Sequence, residues 1–443
     1  MSMKINKDMN YKIFFQALIL VTISSTIYAQ DVLKIEDAVG IALKNNYDIR
    51  ITSNEVKVDS IGVNIANAGM LPKLDATLTQ NNNIQYSKQT RSTGEVQELN
   101  NAKNNNLNYG VTLGWTVFDG FKMFARYDQL KELQKQGETT LKMTILTKIG
   151  DVMTTYYDLV QQQQLLKALD TTIVISKQRL KTAENRFTIG KASKLEVLNA
   201  QVDMNTDTTN FLRQKEMYEN TKIQLNQILA RDVSTNFTVI ETVDVDDKLV
   251  LSDLNALVTK QNPQLQLALI DKRVAELDLK QVRANRYPTI KLNTGYMFNE
   301  TESSLGFTSQ SSSRGFNYGV SASLNIFNGF QQTRNEKIAK LQIENSSIVI
   351  EKQAQILSAQ LATAFQTYLT NIELSKLEEN NEAIAKKNLE ITLDKFKIGT
   401  ISTLEFRSAQ QNYVNAIARN SSAKFQAKIS EVALKEITGN IKF

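Results

Sequence analysis

The side chains of this 443-residue chain that could do chemistry are carboxylates, lysines and arginines, because it has no His and no Cys. Thiol chemistry, disulfides, the usual zinc sites and any triad with a His base are therefore excluded. No constellation supports an enzyme, and none calls for a cofactor or metal. Two glutamates do recur in matched places. Ser193 precedes Glu196 by three residues, and Ser402 precedes Glu405 by three. That spacing lets the serine cap a helix while the glutamate answers as a capping box. The charge balance is +6. It is dispersed rather than clustered, which gives nucleic-acid binding no support.

The two glutamates belong to a longer repeat. Residues 185–201 read NRFTIGKASKLEVLNAQ and residues 394–410 read DKFKIGTISTLEFRSAQ. Phe187, Ile189, Gly190, Leu195 and Glu196 match Phe396, Ile398, Gly399, Leu404 and Glu405. Gly190 and Gly399 supply the φ > 0 position that ends a helix. Each copy is thus the turn of a long helical hairpin, and the chain is built twice around it.

The N-terminus has the pattern of an export signal. Lys4, Lys7 and Lys12 precede the apolar run Ile13–Ile23, which is too short to span a membrane, and Ala29 offers a cleavage point. Residues 1–29 are expected to be a signal peptide, 30–240 a first structural repeat and 241–443 a second. Asp31, Leu33, Asp37, Lys44, Asn46 and Pro72 recur as Asp247, Leu249, Asp253, Lys260, Asn262 and Pro288. By Asn108/Asn317 the offset has shortened by seven residues, so the first half carries an insertion between 73 and 107.

Residues 107–117 and 316–326 alternate with period two. Val111, Leu113 and Trp115, and likewise Val320, Leu324 and Ile326, fall on an apolar face opposite small polar residues. Partner strands follow Pro72 and Pro288. Each half therefore predicts one β-hairpin, closed by a polar loop at about 85–106 or 300–315, with strands of about 9–11 residues as a membrane barrel needs. Residues 121–184 and 330–393 predict rods of roughly 96 Å, and the return helices 191–230 and 400–438 roughly 60 Å. Positions 350, 354, 357, 361, 364 and 368 form a coiled-coil seam. Residues 35–70 and 253–286 predict helices of roughly 50 Å that complete the cover of each rod. Residues 231–252 predict an irregular belt.

Four strands cannot close a barrel, since about eight is the minimum. An open edge is not tolerated in lipid, so subunits must share one barrel. A dimer would give eight strands and a trimer twelve. A trimeric coiled-coil structural or adhesion protein anchored in the outer membrane is the alternative. Its strands would be contiguous at the C-terminus, whereas these hairpins are separated by a helical hairpin.

In the order VFDG, RFTIG…LE…NAQ, IFNG, KFKIG…LE…SAQ, the chain resembles the TolC-like outer-membrane efflux family over essentially its whole mature length. The resemblance implies a membrane α+β fold: a duplicated β-hairpin and long helical hairpin, with a homotrimeric twelve-stranded β-barrel continued by a periplasmic α-helical barrel. It implies an outer-membrane exit duct, passively conducting small molecules or polypeptides, with a periplasmic adaptor and an inner-membrane transporter as partners. It places Phe187, Ile189, Gly190, Leu195, Glu196, Phe396, Ile398, Gly399 and Leu404 at the periplasmic tip that meets the adaptor. It also places an acidic aperture ring at Glu405. A second acidic ring of the family pattern is replaced here by Ser408, a basic latch residue by Ile401, and an aromatic hydroxyl by Phe396.

Overall fold

A computed structural model describes residues 32–304 and 308–441. The expected signal peptide, 1–29, lies outside the described residues. Long helices dominate. Helix α3 (Lys122–Thr188) and helix α7 (Gln331–Lys397) each run for 67 residues, or about 100 Å at 1.5 Å per residue. They return as α4 (Lys194–Ile228) and α8 (Thr403–Ile437), each of 35 residues.

The expected helices 35–70 and 253–286 are each broken in two. Helices α1 (Ile35–Asn45) and α2 (Tyr47–Gly62) meet at Asn46, and α5 (Leu251–Gln261) and α6 (Pro263–Ala284) meet at Asn262. The matched asparagines do the same work. Asn46 Oδ1 accepts from the N–H groups of Asp48 and Ile49, and Asn262 Oδ1 from that of Leu265. Each caps the second helix of its pair. Each Nδ2 then donates to the end of the return helix, Asn46 to Ile228 O and Asn262 to Ile437 O, both at 2.8 Å. The kink is therefore the place where the two short covers of a rod join end to end.

Strands β2 (Lys73–Thr90), β3 (Val96–Phe118), β5 (Thr289–Ser303) and β6 (Gln310–Ser323) form one antiparallel sheet in the order β2-β3-β5-β6. The two hairpins lie side by side through β3 and β5. The register groups the side chains in rows. Ala76, Val111, Tyr296 and Phe316 share one row and one face. Asp75, Thr112, Gly295 and Asn317 share the next row and the other face.

Two expectations about the sheet need correction. The polar tract 85–106 is not a loop: β2 and β3 continue through it, and only residues 91–95 turn, at Gly94 with φ 83°. Asparagine has a poor strand propensity, but here the ladder pairs Asn81 with Asn106, Asn82 with Asn105 and Asn83 with Asn104. Likewise β5 reaches Ser303 and β6 begins at Gln310, inside the expected 300–315 loop. Conversely β6 ends at Ser323. Leu324 and Ile326 alternate correctly but lie beyond the strand, in the turn toward α7.

That turn is built twice. Gly120 (φ 71°) and Phe121 (φ 67°) match Gly329 and Phe330, both at φ 63°. The side chain of Asp119 accepts from Met123 N–H, and that of Asn328 from Gln332 N–H, which starts each rod. A Cβ on Gly120 would lie 2.4 Å from Ala284 O, so the end of α6 fits against bare backbone there.

The main core lies mid-rod. Tyr156, Leu159 and Val160 of α3 pack with Leu225 and Leu229 and with Phe237 and Val239 of the belt. Strand β4 (Thr238–Val239) pairs in parallel with β1 (Val32–Leu33), so the belt is partly ordered as sheet. Five of the six seam positions pack inward: Leu357, Leu361 and Tyr368 of α7 are buried against Leu254, Val258 and Leu434, Ile350 and Ala364 are partly buried there, and Ala354 is exposed.

Candidate functional site

The tips carry the first set of expected site residues. At the first, Gly190 N–H donates to Phe187 O and Lys191 N–H to Arg186 O; at the second, Gly399 N–H donates to Phe396 O and Thr400 N–H to Lys395 O. This pairing closes a helix on a left-handed glycine, with φ 73° at Gly190 and 80° at Gly399. Ser193 Oγ then accepts from Glu196 N–H, and Ser402 Oγ from Glu405 N–H, both at 3.3 Å. The backbone of the two turns is the same.

Their carboxylates differ. Glu196 Oε1 accepts from Arg186 Nη1 at 3.3 Å. The matching position in the second tip is Lys395, and among the described residues Glu405 has no ion pair; its Oε1 accepts only from Ser402 Oγ. Glu405 and Ser408 are exposed and three residues apart, on one face of α8, while Phe406, Ala409 and Gln410 are buried on the other. Phe187, Ile189, Leu195, Ile398 and Leu404 are exposed apolar side chains, with Leu404 at 77%. Phe396 is not among them. It is buried, and stacks on Phe406 with ring centroids 4.9 Å apart, so it shapes the tip from within.

Behind the tips lies a polar cluster that the sequence reading did not single out. Arg407 of α8 grips Asp207 of α4 through two hydrogen bonds of 2.7 Å. Asp207 also accepts from Ser176 Oγ of α3 at 2.5 Å. Gln410 donates to Ser176 Oγ and Thr172 O, and Arg179 pairs with Asp203. Ser176, Arg179, Asp207 and Gln410 are all buried. The cluster thus joins the second helical hairpin to both helices of the first. The one available signal was Asp203 and Asp207, spaced i,i+4 on a helix whose partners carry arginines.

A second buried charge group holds the belt. Glu431 accepts from Lys428, Lys435 and Asp246 N–H, while Lys428 donates to Asp244 O. Burial also pushes the Tyr157 hydroxyl up to about 12 and raises the Glu436 carboxyl above its ordinary value.

On the sheet, Val111, Trp115 and Val320 are exposed in the isolated subunit, and Leu113 is half-buried. Their row partners are Tyr296, Leu292 and Thr294 on β5. Trp115 Nε1 donates to Met70 O at 2.9 Å, fixing the ring near the start of the rods. Tyr109 stacks on Phe298 at 4.8 Å at the opposite margin of the apolar face. No helix among the described residues is long and apolar enough to cross a membrane.

A sheet with one apolar face, joined through two short matched turns to rods of this length, is the architecture of an outer-membrane channel subunit. The chain belongs to the outer membrane efflux protein family, whose model matches residues 38–231 and 255–440. It is 20% identical over 435 residues to the outer membrane protein TolC of Vibrio cholerae, covering 96% of this chain and 94% of that one. Against TolC of Escherichia coli it is 21% identical over 356 residues, 78% of this chain and 72% of that one. Among solved structures it is similar to the Campylobacter jejuni CmeC outer membrane channel, with a TM-score of 0.74 and 19% identity over 91% of this chain and 85% of that one.

Proposed function

We propose that three copies of this chain close a twelve-stranded barrel in the outer membrane and extend it as a periplasmic α-helical tube, the exit duct of a tripartite efflux or type I secretion system. One observation carries this reading. The four-stranded sheet has unpaired outer edges at β2 and β6 and an apolar outward face, and it passes directly into two 67-residue helices. Edges of that kind must be paired in lipid. Residues 1–29 act as the signal peptide, and 30–240 and 241–443 are the two structural repeats. The tips meet a periplasmic adaptor, whose inner-membrane transporter supplies the energy for passive conduction of small molecules or polypeptides.

Glu405 lines the aperture at the second tip, with Ser408 one turn further along. Threefold symmetry gathers three carboxylates that lack an arginine partner, and crowded like charges attract cations. In planar bilayers the purified wild-type trimer conducts, and Glu405→Ala lowers its cation selectivity and its block by divalent cations. Glu196→Ala changes neither, because Arg186 already neutralises that carboxylate. Unchanged selectivity in Glu405→Ala would leave the residue only its capping role.

The turn at 91–95 is the end of the sheet away from the rods, so with the rods in the periplasm it faces outward. An epitope inserted beside Gly94 is therefore reached by antibody on intact cells. Labelling only after permeabilisation would reverse the topology.

A further inference from the structure

The outward face of the sheet changes character along β6. Val320, Tyr318, Phe316, Arg314, Ser312 and Gln310 form one column on that face, all exposed. The same change crosses the sheet. The row of Phe316 holds Tyr296, Val111 and Ala76; that of Arg314 holds Phe298, Tyr109 and Leu78; and that of Ser312 holds Glu300, Leu107 and Gln80. Arg314 thus stands in the aromatic row after which β5 and β6 turn polar on this face, while β2 still presents exposed Ile84 and Tyr86 further along it; aromatic girdles of this kind mark a lipid–water boundary. It lies at the end of the sheet away from the rods, hence in the outer leaflet.

We propose that Arg314 binds the phosphate of a phosphorylated acyl glycolipid of the outer leaflet, whose acyl chains lie along Phe316, Tyr318 and Val320. This rests on the membrane-barrel reading. A guanidinium at the boundary needs an anion and matches phosphate oxygens two at a time. Among the described residues Arg314 makes no hydrogen bond or ion pair. The next carboxylate on this face, Glu300, two rows above, is instead bonded to Tyr109 Oη at 3.3 Å. From Arg314 to Val320 the strand runs about 20 Å, enough to support an acyl chain. Above the guanidinium, Ser312 offers a hydroxyl, and Glu300 and Glu302, held by Tyr109, Gln310 and Asn105, keep further acceptor lone pairs for sugar hydroxyls, which an acyl phosphodiester alone does not supply.

The test uses the full-length trimer, purified in detergent, with diphosphoryl lipid A as the probe and native mass spectrometry as the readout. Wild type retains the lipid, Arg314→Gln binds it about tenfold more weakly, and Arg314→Lys falls between. Ser313→Gln, on the opposite face of the same strand, binds as wild type does. Lipid A stripped of its phosphates is not retained. Equal retention by Arg314→Gln and wild type, or equal retention of the dephosphorylated lipid, overturns the proposal. Phosphatidylglycerol bound as tightly as lipid A overturns the glycolipid assignment. Channel recordings on the same preparations separate the two levels. A conducting trimer whose lipid retention ignores Arg314 defeats this inference alone, whereas a wild type that never conducts defeats the channel reading beneath it.

Discussion

Val111→Arg is expected to abolish trimer assembly, while Thr112→Arg on the next residue assembles and shifts ion selectivity. Val111 lies in the row of Ala76, Tyr296 and Phe316, on the apolar face that the proposed barrel turns to lipid. An arginine on the lipid face near the midplane costs about 2–4 kcal/mol in each subunit. A threefold barrel incurs that cost three times, which is comparable to the whole stability of an ordinary domain. Thr112 lies opposite Gly295, which has no side chain, and beside Asp75. An arginine there has room and a carboxylate partner, and in the proposed barrel it adds positive charge to the lumen. The measurements are the heat-sensitive trimer band of the membrane fraction and the reversal potential in a salt gradient. Equal assembly of the two variants would remove the membrane-facing assignment of this sheet.

Much of this architecture was legible because it is written twice. The tip glycines, the capping serines and the proline-free rods recur in matched order, and each copy vouches for the other. Period-two alternation found the lower strands for a physical reason: one face must satisfy lipid and the other water. Above Leu107 that demand weakens, both faces become mostly polar with only Ile84 and Tyr86 as exposed apolar exceptions on β2, and the pattern fades although the strand goes on. Asn81–Asn106 and its neighbours are held by ladder hydrogen bonds, which leave no hydrophobic signature. Leu324 and Ile326 show the opposite failure. Their alternation continues while the backbone is already turning toward the Gly329–Phe330 start of the rod. The breaks at Asn46 and Asn262 were masked by helical periodicity on both sides. The matched pair was visible, but its bonds to Ile228 and Ile437 depend on distant chain. At the tips, the pattern fixed the turn but not the neighbours: only the structure shows that Glu196 is paired, that Glu405 is not, and that Phe396 points inward.

The cluster behind the tips is where sequence was least informative and where one substitution should act most strongly. Asp207 accepts from Arg407 Nη1 and Nη2 and from Ser176 Oγ, and it is buried. Its removal leaves Arg407, itself only 13% exposed, without its bidentate partner; Asp203, at 3.8 Å, is too far to replace it. Breaking one side of a buried pair costs about 3–5 kcal/mol, whereas replacing both partners by apolar groups is often neutral. Asp207→Ala should therefore loosen the contact of α8 with α3 and α4, and Asp207→Leu combined with Arg407→Met should restore it. The loss should be local, because the mid-rod core around Tyr156 and Leu225 does not include these side chains. Hydrogen exchange should accelerate in the tip thirds of α3, α4 and α8, and proteases should cut near Gly190 and Gly399, while exchange in β3 and β5 stays slow. Tip exchange in Asp207→Ala indistinguishable from wild type would show that apolar packing of Phe396, Phe406 and Ile175 alone holds the two hairpins together.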